Sequence, residues 1–175
     1  AIPHWLESAR PAVIKSISRP LLTDERAPGG ALFAYTNLVF DGDHNWEDAR
    51  YAPVQLQSFV ESTHSLRVTS LAGRHWCVEV RVEDDDATRR DWRVDQDGAD
   101  YRLVALGEET AGKLDELMMR LGLQYAASDF LVTEEGDEYF LEANPHGAWK
   151  WLEGHLPDLD FTDQFAMWVS GQTRR

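Results

Sequence analysis

Cysteine, basic residues and long apolar runs are scarce in this chain of 175 residues. Its single cysteine, Cys77, excludes an internal disulfide and fits a cytoplasmic setting; its strand-like apolar context predicts simple packing. Lys and Arg number 17 against 31 Asp and Glu, for a net charge of −14. That balance argues against a main role in sequence-independent binding of nucleic acid or of an anionic membrane. No run is long and apolar enough to cross a membrane, and no signal peptide is evident.

Common metal and nucleophile motifs are missing as well. The six histidines are scattered and none has HxxxH spacing, so the sequence predicts no zinc site. The segment from Gly107 to Leu114 imitates a phosphate-binding loop, but Leu114 stands where Ser or Thr is required. No GxSxG motif and no paired Ser/His arrangement is evident.

Short β-prone segments dominate the chain. Strands are predicted at residues 11–17, 31–40, 54–60 and 66–83, the last as a hairpin that turns at Ala72–Gly73. Residues 19–30, which contain two Pro and two Gly, are predicted to form a loop.

Two helices are predicted in the second half of the chain. Apolar residues at helical spacing predict a helix from Glu108 to Leu121, with Gly122 as its C-cap. A last helix is predicted from about Phe161 to Val169, with Asp160 or Thr162 as its N-cap. The fold class is therefore α+β, with a small β-rich part at residues 1–64 and a larger α+β part at residues 65–175.

The stretch SDFLVTEEGDEYFLEANP, residues 128–145, predicts a hairpin that turns at Glu135–Gly136. Counting outward from this turn predicts three pairs: Val132 with Tyr139, Phe130 with Leu141, and Asp129 with Glu142. Asn144 should share a face with Glu142, and Leu131 and Phe140 should lie on that face too.

Asp129 and Glu142 would be directly opposed, with Cβ atoms about 5 Å apart, and their carboxylates would repel by about 3 kcal/mol at an effective dielectric near 20. A bound cation, a shared proton or a neighbouring Lys or Arg should offset this repulsion. With the Asn144 amide, the two carboxylates form a set of hard oxygen ligands suited to Mg²⁺. A solvated sheet face with exposed acids is the alternative.

Three basic residues lie beside apolar neighbours: Lys15, Arg67 and Arg93. A strand lysine can reach a phosphate as a point charge, although simple exposure is the commoner explanation for Lys15. For the two arginines, an ion pair with one of the many acids is the default interpretation.

Several segments taken in order resemble the ATP-grasp superfamily: AVIKS, YTN, PVQLQSFVESTHSLRVTSLAG, TRRDWR and LGLQYAASDFLVTEEGDEYFLEANPHGAWKWLE. More narrowly, they resemble the C-terminal part of graspetide or microviridin-type peptide macrocyclases, which are related to ribosomal-protein glutamate ligases. The resemblance covers about residues 12–151. It implies that ATP is held between a small and a larger lobe, that the γ-phosphate activates a carboxylate, and that an amine or hydroxyl then attacks the acyl phosphate. ATP and Mg²⁺ are the implied cofactors, and a precursor peptide is the implied substrate.

The resemblance also implies roles for individual residues. Lys15 would contact the α- and β-phosphates, Arg93 would face the γ-phosphate, and Arg67 would lie near the acceptor carboxylate or the transferred phosphoryl group. The hinge whose backbone reads the adenine edge would be Gln57, Ser58, Phe59 and Val60. The Mg²⁺ ligands would be Asp129, Glu142 and Asn144.

The chain departs from the family pattern at two positions and in its extent. Ser65 stands where an acidic residue that binds the ribose is usual, and Ala148 stands where Gln is usual. The N-terminal domain of the family and an earlier nucleotide-binding lysine are not matched, so the chain is expected to be a portion of a longer enzyme. A ligase that joins amino acids to a protein terminus, and a non-catalytic nucleotide-binding module or inactive fragment, stay open as alternatives. The oligomeric state is open too, with a homodimer as one candidate.

Overall fold

A computed structural model of the chain describes residues 11–17, 21–23, 31–33, 36–39, 54–82, 93 and 96–171. The chain divides into two compact units, one made of residues 1–61 and 84–96, the other of residues 62–83 and 97–175. The proposed division between residues 64 and 65 stays a prediction.

The first unit contains two small antiparallel sheets. One has three strands, with β1 (Ala12–Ser16) between β4 (Asn37–Val39) and β5 (Val54–Ser58). The other pairs β2 (Leu21–Thr23) with β3 (Ala31–Phe33). The predicted strands here are confirmed in their described residues, but the predicted loop at 19–30 is wrong at β2, because this short segment finds its partner across the Pro- and Gly-containing connection.

The second unit is built on a five-stranded antiparallel sheet. Its order is β10 (Glu138–Asn144), β9 (Tyr125–Val132), β6 (His64–Leu71), β7 (Arg74–Arg81) and β8 (Asp100–Val104). The β6–β7 hairpin turns at Ala72 and Gly73 as predicted, with φ values of 48° and 80°. Both values lie in the left-handed region, which suits glycine and makes Ala72 the strained member of the turn.

In the part of the chain that the structure describes, three helices accompany this sheet: α1 (Glu108–Leu121), α2 (Lys150–His155) and α3 (Phe161–Val169). The predicted bounds of α1 and α3 are confirmed, and α1 ends at Gly122 with φ 67°. Asp160 occupies the N-cap position of α3 without capping it through its side chain. None of the helices in the described ranges is long and apolar enough to span a membrane.

Helix α1 covers one face of the sheet. Its Leu114 and Met118 pack in a buried cluster whose strand members are Leu66, Val68, Cys77, Ala126, Phe130 and Val132. The predicted packing role of Cys77 is therefore confirmed, since the residue is 1% exposed. On the opposite face, Phe161 at the start of α3 is fully buried and contacts the rings of Trp76, Tyr125 and Trp149. Helices thus pack on both faces of the sheet.

The β9–β10 hairpin contains a β-bulge that the sequence did not reveal. On β10, pairing begins one residue earlier than predicted, with Val132 opposite Glu138 and Phe130 opposite Phe140. The loop between the strands is therefore only residues 133–137. The hydrogen bond from the Thr133 N–H to the Asp137 carbonyl closes this loop. The register then shifts between Phe140 and Glu142. The bulge absorbs one extra residue, so the predicted pairs of Val132 with Tyr139 and Phe130 with Leu141 are wrong.

Beyond the bulge the predicted register is restored. Asp129 lies opposite Glu142, as predicted, and Asn144 lies opposite Ala127. Because of the extra residue, the side chains of β10 before the bulge point to the opposite faces from those predicted. Phe140 therefore lies with Phe130 on the sheet face that α1 covers, with their ring centroids 5.5 Å apart. The prediction that Phe140 shares a face with Glu142 is therefore wrong.

Candidate active site

A row of three charged residues crosses the sheet on the face opposite α1. Arg67 of β6 lies directly opposite Asp129 of β9, which in turn lies opposite Glu142 of β10. Directly opposed residues in an antiparallel sheet point to the same side, so all three share this face. Asn144 is two residues beyond Glu142 on the same strand and joins them there.

Arg67 and Asp129 form a shielded ion pair at the centre of the row. The Arg67 Nη1 donates to both carboxylate oxygens of Asp129, at 2.9 and 3.1 Å. The two side chains are only 9% and 13% exposed. A neighbouring arginine, one of the three ways to offset the repulsion between Asp129 and Glu142, is therefore present. This ion pair is also the default interpretation given for Arg67 from sequence.

Glu142 and Asn144 are exposed, so their oxygens are open to a ligand. The Asn144 Oδ1 accepts a hydrogen bond from the His146 backbone N–H at 2.8 Å, which fixes the amide and leaves its oxygen a second lone pair. Among the described residues, no group of three or more His, Cys, Asp and Glu could hold a metal ion. At this face, the Asn144 amide oxygen would add a third protein ligand to the two carboxylates. Two carboxylates and an amide oxygen fit Mg²⁺, which keeps part of its water shell.

The turn that follows β10 folds back over the sheet beside this row. Gly147 N–H donates to the Asn144 carbonyl at 3.1 Å, and the Tyr125 hydroxyl donates to the Gly147 carbonyl. The Ala148 carbonyl accepts a hydrogen bond from Arg67 Nη2 at 3.1 Å. Arg67 is therefore held by Asp129 and by Ala148, which are 62 and 81 residues away in sequence. Only the tertiary fold brings these partners to it.

Burial supports the role of Tyr125 as a donor in this arrangement. Burial raises the pKa of Tyr125, and the nearby Arg67 cation opposes the shift without cancelling it. The phenol therefore stays protonated at neutral pH and keeps its hydrogen bond to the turn.

The end of the turn, at Trp149, packs among the aromatic residues on the sheet face opposite α1. The Trp149 indole N–H donates to Thr162 Oγ1 at 3.1 Å, and its ring contacts Tyr125, Phe161 and Phe165. Glu153 accepts hydrogen bonds from both the backbone N–H and the hydroxyl of Thr162, each at 2.6 Å. Trp149 therefore has a packing role.

Two buried polar atoms on the face of the row have no hydrogen-bond partner among the described residues, Arg67 Nε and Thr69 Oγ1. Thr69 lies opposite Ala127, in the row that also contains Asn144. Buried donors without partners are uncommon in folded proteins, and they mark this face as one with unused hydrogen-bonding capacity.

The remaining predicted site residues belong to the first unit. Lys15 is half-buried in β1 opposite Gln55, and Gln57 lies opposite Val13, so alternation places Lys15 and Gln57 on one face of the three-stranded sheet.

The other proposed hinge residues follow directly. Ser58 ends β5 and is exposed, and Phe59 and Val60 are half-buried. The Phe59 backbone N–H donates to the Pro11 carbonyl at 3.0 Å. Arg93 is half-buried. The binding and catalytic roles of these residues stay predictions.

A Ser/His pair that the sequence did not suggest is present in the β6–β7 hairpin. Ser70 Oγ lies 2.7 Å from His75 Nδ1, and His75 Nε2 lies 3.1 Å from Asp115 Oδ1. Counting outward from the Ala72–Gly73 turn pairs Ser70 with His75, so the signal was available. Ser70 is fully buried and cannot reach a substrate, so the set ties the sheet to α1 and does not act as a hydrolytic triad.

Comparison with solved structures identifies the fold. A RiPP-associated ATP-grasp ligase from Chryseobacterium gregarium, solved with ADP and a leader and core peptide, matches with a TM-score of 0.84 at 21% identity, over 98% of this chain and 52% of that chain. The macrocyclase MdnC from Microcystis aeruginosa, bound with the precursor peptide MdnA, matches with a TM-score of 0.78 at 24% identity, over 97% of this chain and 52% of that chain. The ATP-grasp ligase PsnB, complexed with a minimal precursor, Mg and ADP, matches with a TM-score of 0.73 at 15% identity, over 99% of this chain and 50% of that chain.

No protein-family model matches the chain, and no curated protein is significantly similar to it in sequence. The chain spans about half the length of the solved structures that it matches. These structural similarities show that the chain has the ATP-grasp fold, and they confirm the predicted α+β class and the predicted resemblance at the level of fold.

Proposed function

We propose that this chain is the nucleotide- and Mg²⁺-binding portion of an ATP-dependent ligase that joins a carboxylate to an amine or a hydroxyl. The observation that carries the proposal is the row of Arg67, Asp129 and Glu142, with Asn144 beside it, on one sheet face of an ATP-grasp fold. A buried cation next to a set of hard oxygen ligands suits the handling of phosphate.

The proposed reaction has two steps. A carboxylate oxygen of the substrate attacks the γ-phosphorus of ATP, the bond from that phosphorus to the β,γ-bridging oxygen breaks, and ADP leaves. An amine nitrogen or hydroxyl oxygen then attacks the acyl carbon, loses its proton, and expels inorganic phosphate. Both steps spread negative charge over phosphoryl oxygens, so positioning and electrostatic stabilisation can supply the catalysis without a side-chain nucleophile.

Residues of the second unit would supply most of this electrostatic stabilisation. Mg²⁺ held by Asp129, Glu142 and Asn144 would neutralise phosphate charge and orient the transferred group. Arg67 is always charged and shielded from water, so it would stabilise the acceptor carboxylate or the phosphoryl group more strongly than an exposed arginine would.

Residues of the first unit would bind the nucleotide. Lys15 would contact the α- and β-phosphates, Arg93 the γ-phosphate, and the backbone of residues 57–60 the adenine edge. These roles rest on the resemblance to ATP-grasp ligases. Because Phe59 already uses its N–H within the unit, the neighbouring backbone groups of this hinge would have to read the base.

A ribosomal precursor peptide is the proposed substrate, and macrocyclisation is the proposed outcome. Three structurally similar proteins were solved with a core, precursor or minimal precursor peptide, which supports a peptide as the carboxylate-bearing partner. The use of ATP and the presence of a single cysteine are consistent with a cytoplasmic location, which we include in the proposal.

Mass spectrometry on the full-length protein with ATP, Mg²⁺ and a candidate precursor peptide tests this function. Each ester or amide bond formed within the peptide should remove one water and release one ADP. A mass gain equal to an added amino acid would instead favour a ligase that acts on a protein terminus. Nucleotide binding without ADP formation, whichever peptide or amino acid is added, would favour a non-catalytic binding module. Ala148, which stands in place of the usual Gln, supports that alternative.

A further inference from the structure

We propose that Gly147 is a positioning residue for Arg67. Because Gly147 has no side chain, the turn after β10 lies close enough to β9 for the Ala148 carbonyl to fix the Arg67 guanidinium beside Asp129. The inference deepens the proposed function and rests on it only for the identity of the anion that Arg67 would receive.

The orientation of the Arg67 guanidinium depends on the turn. Arg67 meets Asp129 through one nitrogen, Nη1, which donates to both carboxylate oxygens. A two-nitrogen fork would fix the guanidinium plane, whereas contact through a single nitrogen leaves it free to tilt. The second nitrogen, Nη2, donates to the Ala148 carbonyl, and Nε has no partner among the described residues. Ala148 therefore supplies the second contact that sets the plane.

The turn itself is held tightly at Gly147. Its N–H donates to the Asn144 carbonyl and its carbonyl accepts from the Tyr125 hydroxyl, so the backbone is fixed on both sides of the residue. Displacing Gly147 would therefore carry the adjacent Ala148 carbonyl away from Arg67.

Space is the reason that a glycine is required here. A Cβ on Gly147 would lie 2.4 Å from the Ala127 Cβ, 3.1 Å from Arg67 Nη2 and 3.3 Å from the Asn144 carbonyl oxygen. The Ala127 Cβ is attached directly to the backbone of β9 and cannot move aside. Gly147 is not among the residues with positive φ, unlike Gly122 and Gly136, so its backbone conformation alone would permit a side chain.

The orientation of Arg67 can be read directly by ¹H–¹⁵N NMR of its guanidinium group. Hydrogen bonds on two sides slow rotation of a guanidinium, so the wild-type protein should give separate Arg67 Nη signals, assigned by their loss in Arg67→Lys. In Gly147→Ala these signals should merge or broaden. Gly154→Ala is the matched control, because a Cβ at Gly154 meets nothing within 4 Å and its helix favours alanine.

Relief of the contact provides the decisive variant. Ala127→Gly combined with Gly147→Ala removes the 2.4 Å contact and leaves two longer ones, at 3.1 Å to the flexible end of Arg67 and at 3.3 Å to the Asn144 carbonyl oxygen. The double variant should regain the separate Arg67 signals, measured against Ala127→Gly alone. Unchanged signals in Gly147→Ala, or signals that Ala127→Gly fails to restore, would overturn the inference.

A second variant keeps the test decisive where Gly147→Ala does not fold. Tyr125→Phe removes the hydrogen bond to the Gly147 carbonyl without adding volume, so the Arg67 signals should broaden, and sharp, separate signals would overturn the inference. Nucleotide binding is measured separately on the same samples. A restrained Arg67 that responds to Gly147→Ala in a protein that binds no nucleotide would uphold the positioning role and reject the proposed function.

Discussion

Replacement of Arg67 by methionine should destabilise the second unit strongly. The change leaves the Asp129 carboxylate, whose side chain is 13% exposed, without its cation and opposite Glu142. Removing one partner of a buried ion pair costs 3–5 kcal/mol, and the residual exposure of Asp129 places this case at about 3 kcal/mol. For a protein of this size, that corresponds to a fall in Tm of roughly 6–12 °C.

Urea and thermal unfolding, monitored by circular dichroism without divalent cations, measure this effect. Arg102→Met is the matched control, because Arg102 pairs with Asp100 while both side chains are more than half exposed. Such exposed pairs contribute about 1 kcal/mol or less. Replacing both members of the buried pair, as Arg67→Met with Asp129→Leu, should recover most of the loss. A loss in Arg67→Met no larger than in Arg102→Met, or a double variant that loses the sum of both single changes, would refute the reasoning.

Three further predictions concern the rest of the second unit. Burial, together with the negative charges of Glu138 and Glu79, raises the pKa of the Cys77 thiol to about 12. A maleimide at pH 8 should therefore modify the native thiol orders of magnitude more slowly than the thiol of the urea-unfolded protein. Burial alone would raise the pKa of Glu153, but the hydrogen bonds from Thr162 and the Lys150 cation outweigh it and lower the pKa. The stability that Glu153 contributes is therefore present at neutral pH and lost as the pH falls below about 4.5, so the unfolding free energies of wild type and Glu153→Gln should converge in acid. Phe161→Ala should cost about 3–5 kcal/mol in urea unfolding, whereas the exposed Val169→Ala should cost about 0.5 kcal/mol or less.

Much of the fold follows from local sequence signals. The bounds of α1 came from apolar spacing and from Gly122, and the turn at Ala72–Gly73 came from its position between two apolar runs. These features depend on residues that are close in sequence, which is why one sequence suffices to predict them. Helix α2 was missed because it has only six residues, contains Gly154 and lacks a side-chain cap.

The site was predicted in part. The Asp129–Glu142 pair was found by counting from the hairpin turn, although two errors cancelled: the loop is shorter than assumed, and the bulge before Glu142 restores the register. A bulge has no firm sequence signature, so the face of Phe140 could not be predicted.

The partner of Asp129 could not be predicted from the sequence either. Arg67 and Asp129 are 62 residues apart, and they meet because β6 pairs with β9 in the sheet. The same holds for Gly147, whose contact with Ala127 depends on how the turn returns to the sheet. Many acidic residues could pair with Arg67 as far as the sequence shows, and the pairing of β6 with β9 selects Asp129 among them.

Calorimetric titration of the full-length protein with a non-hydrolysable ATP analogue, with and without Mg²⁺, tests the central claim most directly. Glu142→Gln removes one carboxylate from the proposed metal ligands, and Glu138→Gln makes the same change on the same strand at a residue opposite Val132, on the α1 face. We predict Mg²⁺-dependent binding that Glu142→Gln weakens by about tenfold or more and that Glu138→Gln leaves unchanged. Binding that needs no Mg²⁺, or that both variants weaken equally, would contradict a metal site on this face of the sheet.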